Sequence, residues 1–160
     1  MSSNNDIIQP GGEVLDDLKG SYMTFLIDDT SYGIELLYIV EIISVTPITH
    51  VPGLPMYYKG IINLRGKVVP VIDVRLKFGQ YEREYDDKTC ILVINFHDMQ
   101  IGLVVDMVVA VATIDSTQHN PPPETGSGAE RYLASIANVN GNVILNIDCE
   151  KFFQSDLNFY

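Results

Sequence analysis

Basic residues are scarce in this chain: 10 Lys and Arg stand against 21 Asp and Glu over 160 residues, a formal net charge of −11. Nucleic-acid backbones and anionic lipid surfaces recruit proteins through clustered Lys and Arg, so both are disfavoured as direct partners. The acidity reads first as solubility. Cysteine is scarcer still. Cys90 and Cys149 sit inside or at the end of apolar, β-like runs, with no Cys-x-x-Cys spacing and no neighbouring His. That is the setting of reduced thiols that behave as small buried hydrophobes. Apolar runs are short, none approaching the ~20 residues of a membrane helix. The opening Met1 to Asp6 is polar and lacks a cationic start, with only Ile7 and Ile8 before Pro10. Neither a secretory signal nor a mitochondrial presequence fits this pattern, and a cytoplasmic location is expected, with any membrane association borrowed from partners.

Motifs of catalysis are missing as well. His50, His97 and His119 are far apart, and none lies in a His-Glu-x-x-His or Gly-x-Ser-x-Gly arrangement. No glycine-rich loop of P-loop or dinucleotide type occurs. The acids of the segment Glu82 to Asp87 are interspersed with Arg83 in the manner of a solvated connector, while Asp73 and Asp148 each precede a short helical pattern they can cap. The expectation is therefore a protein that is not an enzyme, with no catalytic residue, no metal ligand set and no cofactor.

What the chain does have is 46% apolar content, enough for one compact domain or two very small barrels sharing a core. Residues 1–20 read as a flexible tail with one short apolar patch at helical spacing, Val14, Leu15 and Leu18. Short β-rich runs follow at Tyr22 to Asp28, Tyr32 to Leu36, Ile42 to Pro47, Lys59 to Leu64 and Lys67 to Ile72, separated by Asp, Pro and Gly turn formers. Asp73 is placed to cap a short helix that Gly79 ends. A second series runs Thr89 to Phe96, Gln100 to Asp106, Val108 to Ile114, Leu133 to Val139 and Asn142 to Ile147.

The order repeats. Asp29, Gly33 and Ile34 align with Asp98, Gly102 and Leu103 at an offset of 69, and Ile61 to Phe78 aligns with Ile136 to Phe153 at an offset of 75. Seven positions of that later stretch are identical, among them Asn63/Asn138, Gly66/Gly141, Asp73/Asp148 and Phe78/Phe153. The difference between offsets is a loop insertion, placed in the proline-rich segment His119 to Glu130. Two halves too small to fold alone can cover one another's apolar faces, which explains the duplication without invoking function. A groove between two such lobes is also a common kind of binding site, so a small-ligand module is an alternative reading.

The most distinctive stretch is Asn63-Leu64-Arg65-Gly66-Lys67-Val68-Val69-Pro70-Val71-Ile72-Asp73. Gly66 suits a tight turn with φ > 0, Asn63 can tie it, and Pro70 implies an edge or bulged position. Arg65 stands apart because its counterpart in the second half is Asn140, so the turn itself does not require arginine. An interface anchor is one reading. A solvated turn arginine, or an internal strut to a carboxylate, is the other.

This stretch, preceded by Tyr32-Gly33-Ile34 and Val40-Glu41-Ile42 and followed by Val104-Val105-Asp106 and the late Asn140-Gly141 hairpin, resembles the CheW family over about Ser21 to Phe153. The resemblance implies an all-β fold of two packed SH3-like five-stranded barrels, about 21–80 and 88–153 with end strands able to cross between them, within one domain at 21–153 and a tail at 154–160. It implies a non-catalytic scaffold that couples the cytoplasmic tips of methyl-accepting chemoreceptors to the regulatory domain of the histidine kinase CheA. A CheW-like adaptor of another pathway, such as type IV pilus motility, is the alternative within the family. Carried over residue by residue, the receptor-facing groove falls on Ile39, Glu41 and Arg65, with Asn63 and Gly66 shaping the turn, and kinase contact falls near Leu36 and Gly60.

Overall fold

Turn chemistry, read from Asp, Asn and Gly positions, sets the hairpins, and in the computed structural model, which describes residues 18–123 and 128–156, these organise the chain. Strands β1 (Ser21–Ile27) and β2 (Thr30–Glu35) form one hairpin, a 3₁₀ turn at Leu36–Tyr38 leads into β3 (Ile39–Ser44), and β4 (Tyr58–Leu64) and β5 (Lys67–Asp73) form the next. Helix α1 (Val74–Lys77) follows at once. The second series is β6 (Cys90–Phe96), β7 (Met99–Val105), β8 (Met107–Thr113), the two-residue β9 (His119–Asn120), β10 (Leu133–Val139), β11 (Asn142–Ile147) and α2 (Cys149–Phe153). Most strands fall within two residues of their predicted positions. β3 begins three residues early, because the 3₁₀ turn delivers the chain into it sooner than the apolar pattern suggests. The apolar patch at Val14, Leu15 and Leu18 falls, apart from Leu18, outside the described residues. Among the described residues no helix is long and apolar enough to cross a membrane.

Strand order is β3-β6-β7-β5-β4 in one sheet and β8-β1-β2-β11-β10-β9 in the other. The two lists are the same pattern with the repeats interchanged, β1-β2 taking the place of β6-β7. The lobes are therefore not the sequence halves: each repeat sends its first hairpin into the other repeat's sheet. The seams are the only parallel pairings among the described strands, Val71 beside Gly102 and, at the equivalent position, Asn146 beside Gly33. Glycine is needed there because a Cβ at Gly102 would stand 2.9 Å from the Ile91 methyl, and one at Gly33 would overlap the Asn146 carboxamide. Each curled sheet closes on itself, Thr49 pairing with Ile61 in one and Asn120 with Ile136 in the other.

Three apolar clusters follow from strand alternation. The largest draws on both sheets and lies between the lobes, with Phe25, Ile34, Ile72, Leu92, Leu103, Leu133, Phe152 and Phe153 fully buried. Each lobe has its own smaller interior, Ile62, Val69, Val71, Ile91, Val93 and Val104 in the first and Ile114, Ala137 and Ile144 in the second. Much of the space between the lobes is thus packed core, which takes away the basis for a small-ligand cleft there.

The two short helices act as clamps. Asp73 caps α1 by accepting from the Leu76 amide, and Gly79, at φ 82°, ends it with its amide on the Leu76 carbonyl at 2.9 Å. Arg75 of α1 grips the β1–β2 turn, donating to both carboxylate oxygens of Asp28 at 3.1 and 2.7 Å and also to Asp106. At the equivalent place in the other repeat, Glu150 of α2 meets His97 of the β6–β7 turn at 3.0 Å, so the contact recurs with the carboxylate moved from turn to helix. Lys77 is buried against Asp156, a residue of the segment expected as a tail; both side chains are essentially inaccessible.

The hydrogen bonds from Arg75 hold the Asp28 carboxyl below its usual range. A depressed acid adds stability above its unfolded value and loses it as pH falls through the folded one. We expect the thermal midpoint to drop below about pH 4, where free Asp titrates, and Arg75→Met to flatten that drop. Thermal melts from pH 2 to pH 7 test this; an unchanged slope would remove the clamp from the acid response.

Candidate functional site

The β4–β5 turn is built from Leu64 to Lys67, with Arg65 at φ 52° and Gly66 at φ 85°, and the Gly66 amide donates to Asn63 Oδ1 at 2.9 Å. Two consecutive left-handed residues in a two-residue hairpin are what strand twist favours, and Asn-Gly is the pair that adopts them most readily. The second repeat follows this rule, with Asn140 and Gly141 at φ 52° and 84° and the Gly141 amide on Asn138 Oδ1 at 3.2 Å. Arg65 does not. An unbranched side chain gains nothing locally from this conformation, which costs roughly 1–2 kcal/mol for residues with a Cβ. Sequence comparison of the halves marked Arg65 as dispensable for the turn; the structure shows it to be mildly adverse.

Arg65 spans to β3 and forms a two-pronged pair with Glu41, Nη1 on Oε2 at 3.2 Å and Nη2 on Oε1. The pairing holds the Glu41 carboxyl below its usual range and raises the guanidinium further. The strut that sequence reasoning left open is therefore present. It does not bury the arginine, whose side chain is 69% exposed against 26% for Glu41. An exposed pair of this kind adds little to stability. It fixes where a fork of donors stands.

The residues expected together divide into two groups. Asn63, Arg65, Gly66 and Glu41 converge on one end of the first lobe. Ile39 does not join them, because a β-bulge between Ile39 and Glu41 sets Ile39 opposite Ile94 but Glu41 opposite Val93. Ile94 belongs to the main core and Val93 to the lobe interior, so Ile39 packs with Leu36 and Tyr38 on the main core. Leu36, at the start of the 3₁₀ turn, is half-buried.

Gly60, expected near a partner-facing surface, is buried. Its φ is 141° and a Cβ would collide with the Thr49 carbonyl, the group that accepts from the Ile61 amide at 2.9 Å to close the lobe. Gly60 therefore shapes a neighbouring surface through its backbone and presents no side chain of its own. Three exposed apolar residues on β3 and β5, the strands that carry Glu41 and follow Arg65, stood within the sequence motifs but were not named as site residues from sequence: Val40, Ile42 and Val68, 47%, 39% and 67% exposed. The available signal was Val40 and Ile42 on either side of Glu41, which with Ile39 and Ile43 give β3 more apolar residues than one buried face of a strand requires.

Chemistry of other kinds is weakly supported. Burial pushes the Cys149 thiol far up, away from the thiolate that reacts. Among the described residues no group of His, Cys, Asp and Glu is placed to hold a metal ion. The surface is one of shape, apolar contact and a single oriented cation.

Comparison with known proteins agrees with this. Residues 21–157 match the family model described as the CheW-like domain. The chain is 34% identical to the chemotaxis protein CheW of Klebsiella aerogenes over 136 residues, covering 84% of this chain and 82% of that one. It is 33% identical to the CheW of Helicobacter pylori with the same coverage, and 25% identical to the protein FrzA of Myxococcus xanthus over 76% of each chain. Among solved structures, the scaffolding protein CheW of Thermoanaerobacter tengcongensis superposes with a TM-score of 0.78 at 30% identity, covering 84% of this chain and 92% of that one. The paired, curled sheets, one of five strands and one of six counting the two-residue β9, are SH3-like barrels. The chain belongs to the CheW family and is a non-catalytic scaffold of chemotaxis signalling.

Proposed function

We propose that this chain joins the cytoplasmic tips of methyl-accepting chemoreceptors to the regulatory domain of the histidine kinase CheA, with the Arg65–Glu41 end of the first lobe turned to the receptor. The observation that carries this is Arg65, held exposed and oriented by Glu41 in a turn whose backbone favours the asparagine of the other repeat. Val40 and Ile42, which flank Glu41 along β3, and Val68, which follows the turn in β5, supply exposed apolar area on the strands that hold the pair. A receptor helix laid on such a surface needs apolar contact for affinity and a charged group for register. Kinase contact is assigned to the segment around Leu36, with the Gly60 backbone shaping the adjoining lobe.

Mixing the protein with its cognate kinase and a receptor fragment should give a ternary complex in which the receptor controls autophosphorylation. If no complex forms and kinase activity ignores the receptor, the assignment fails. A sharper outcome is expected for Arg65→Asn: the turn gains its preferred residue, so the unfolding midpoint stays level or rises, while receptor affinity falls about tenfold, the loss of one interface anchor of roughly 1.4 kcal/mol. Lost stability with unchanged affinity would make Arg65 a strut only.

A further inference from the structure

The repeats differ at a hollow of about 220 Å³ on the second lobe, walled by Tyr22, Tyr38 and Ala134 and edged by Glu35, Asp148 and Glu150. The corresponding place on the first lobe is filled. There Tyr85 of the connector packs on the cluster containing Ile91 and Val104, the counterparts of Tyr22 and Glu35, and donates to Asp73, the counterpart of Asp148, at 2.8 Å. The Lys59 ammonium stands 5.7 Å from the centre of the Tyr85 ring. The counterpart of Lys59 is Ala134, so in the second repeat the cation is absent while an extra carboxylate, Glu35, has been introduced.

Among the described residues Glu35 has no salt bridge. Of the bases on neighbouring elements, His97 meets Glu150 at 3.0 Å and Lys151 the Leu133 carbonyl at 3.2 Å, while His119, bonded to the Ser135 hydroxyl at 2.7 Å with its ring 5.7 Å from that of Tyr22, acts on Glu35 through space without a salt bridge. Burial first, and then the neighbouring Asp148, raise the Glu35 carboxyl against a smaller opposing pull from His119, so a further cation beside it would favour its charged form. Two tyrosine rings beside carboxylates form walls that attract an ammonium or guanidinium through both charge and ring faces.

We infer that this hollow receives a lysine or arginine side chain from a partner protein, which stands where Lys59 stands in the first repeat. Glu35 directly precedes Leu36, and Tyr38 directly precedes Ile39, so the hollow adjoins the surface assigned above to partners. The inference nevertheless holds whichever protein brings the cation. The chain's own residues 1–17 are a poor source, since they hold acids and no Lys or Arg.

The test is independent of partner identity. The full chain, labelled for NMR, is titrated with the capped tripeptide acetyl-Gly-Lys-Gly-amide and, as control, acetyl-Gly-Gln-Gly-amide. Saturable shifts at Glu35, Tyr22 and Tyr38 are expected with the lysine peptide only. Glu35→Gln should weaken them severalfold. Ala134→Lys, at an exposed strand position that tolerates the longer side chain, should supply the missing cation internally and abolish them while leaving the remaining spectrum native. Equal responses to the two peptides, absence of response, or full response in Ala134→Lys would each overturn the inference. None of these outcomes bears on kinase–receptor coupling, which the ternary-complex assay tests separately.

Discussion

Replacing Asp156 with alanine is expected to lower the unfolding free energy by about 3–5 kcal/mol, the range for breaking a buried ion pair from one side. The Lys77 side chain is 2% exposed and that of Asp156 is 0% exposed. Around the ammonium stand the rings of Tyr57 and Phe152, with centroids 4.6 and 4.8 Å away, and that of Tyr132 at 5.6 Å. Tyr57 also donates its hydroxyl to Asp156 at 2.8 Å, and burial pushes that hydroxyl up to about 12. Desolvation lowers the Lys77 ammonium even with its partner present. Without Asp156 the cation has ring faces but no anion, and it must either shed its proton or draw water into the core. Urea unfolding of Asp156→Ala measures the loss, and one below about 1 kcal/mol would mean that the pair is not sequestered in solution. The double variant Lys77→Met with Asp156→Leu removes both charges and is expected to recover most of the stability, because the desolvation cost disappears with the ions.

Gly60→Ala is the other change of large expected effect. Its φ of 141° lies where residues with a Cβ pay about 1–3 kcal/mol, and the added methyl would meet the Thr49 backbone carbonyl, which no rotamer change can move away. Relief requires breaking the Thr49–Ile61 bridge that closes the first lobe. We expect a total loss of about 4 kcal/mol or more, an exceptional value for a single methyl. The consequence for function is specific. A Gly60 variant that fails to bind the kinase has first lost the shape of its lobe, so binding assays need a stability measurement beside them. If Gly60→Ala unfolds like the parent yet binds poorly, the glycine is a true contact and the steric account is wrong.

Strand positions were legible because period-two apolar runs and Asp, Asn and Gly turns are local signals. Asp73 and Asp148 were read as helix caps from sequence and cap as expected, because a cap reaches only to the amide three residues further on. The duplication was visible in Asn63/Asn138 and Gly66/Gly141. Which strands share a sheet was not, since the β5–β7 and β2–β11 seams join residues from opposite repeats and leave no local trace. The bulge that parts Ile39 from Glu41 was invisible for a related reason: both residues suit a strand, and only the partner β6 reveals the skipped register. Arg65 could be singled out by comparing the halves, but its left-handed backbone and its grip on Glu41 required three-dimensional placement. Burial of Asp156 ran against the expectation of a tail at 154–160, and nothing local marked its partner Lys77, because charged residues ordinarily face water.

The interchange of hairpins at Gly33 and Gly102 has a consequence for how this protein can be made, cut and rearranged. Each lobe borrows two strands from the other repeat, so neither half carries a complete building unit. A nick in the exposed connector around Glu82 to Asp87 would leave two fragments that are unable to assemble singly but hold complementary pieces of both lobes. Such fragments should find one another as a heterodimer at high concentration, and the intact connector does the same work by tethering. For the same reason a gene encoding one repeat could not serve as a smaller adaptor. Only an undivided copy, or both pieces supplied together, rebuilds the surfaces on which coupling depends.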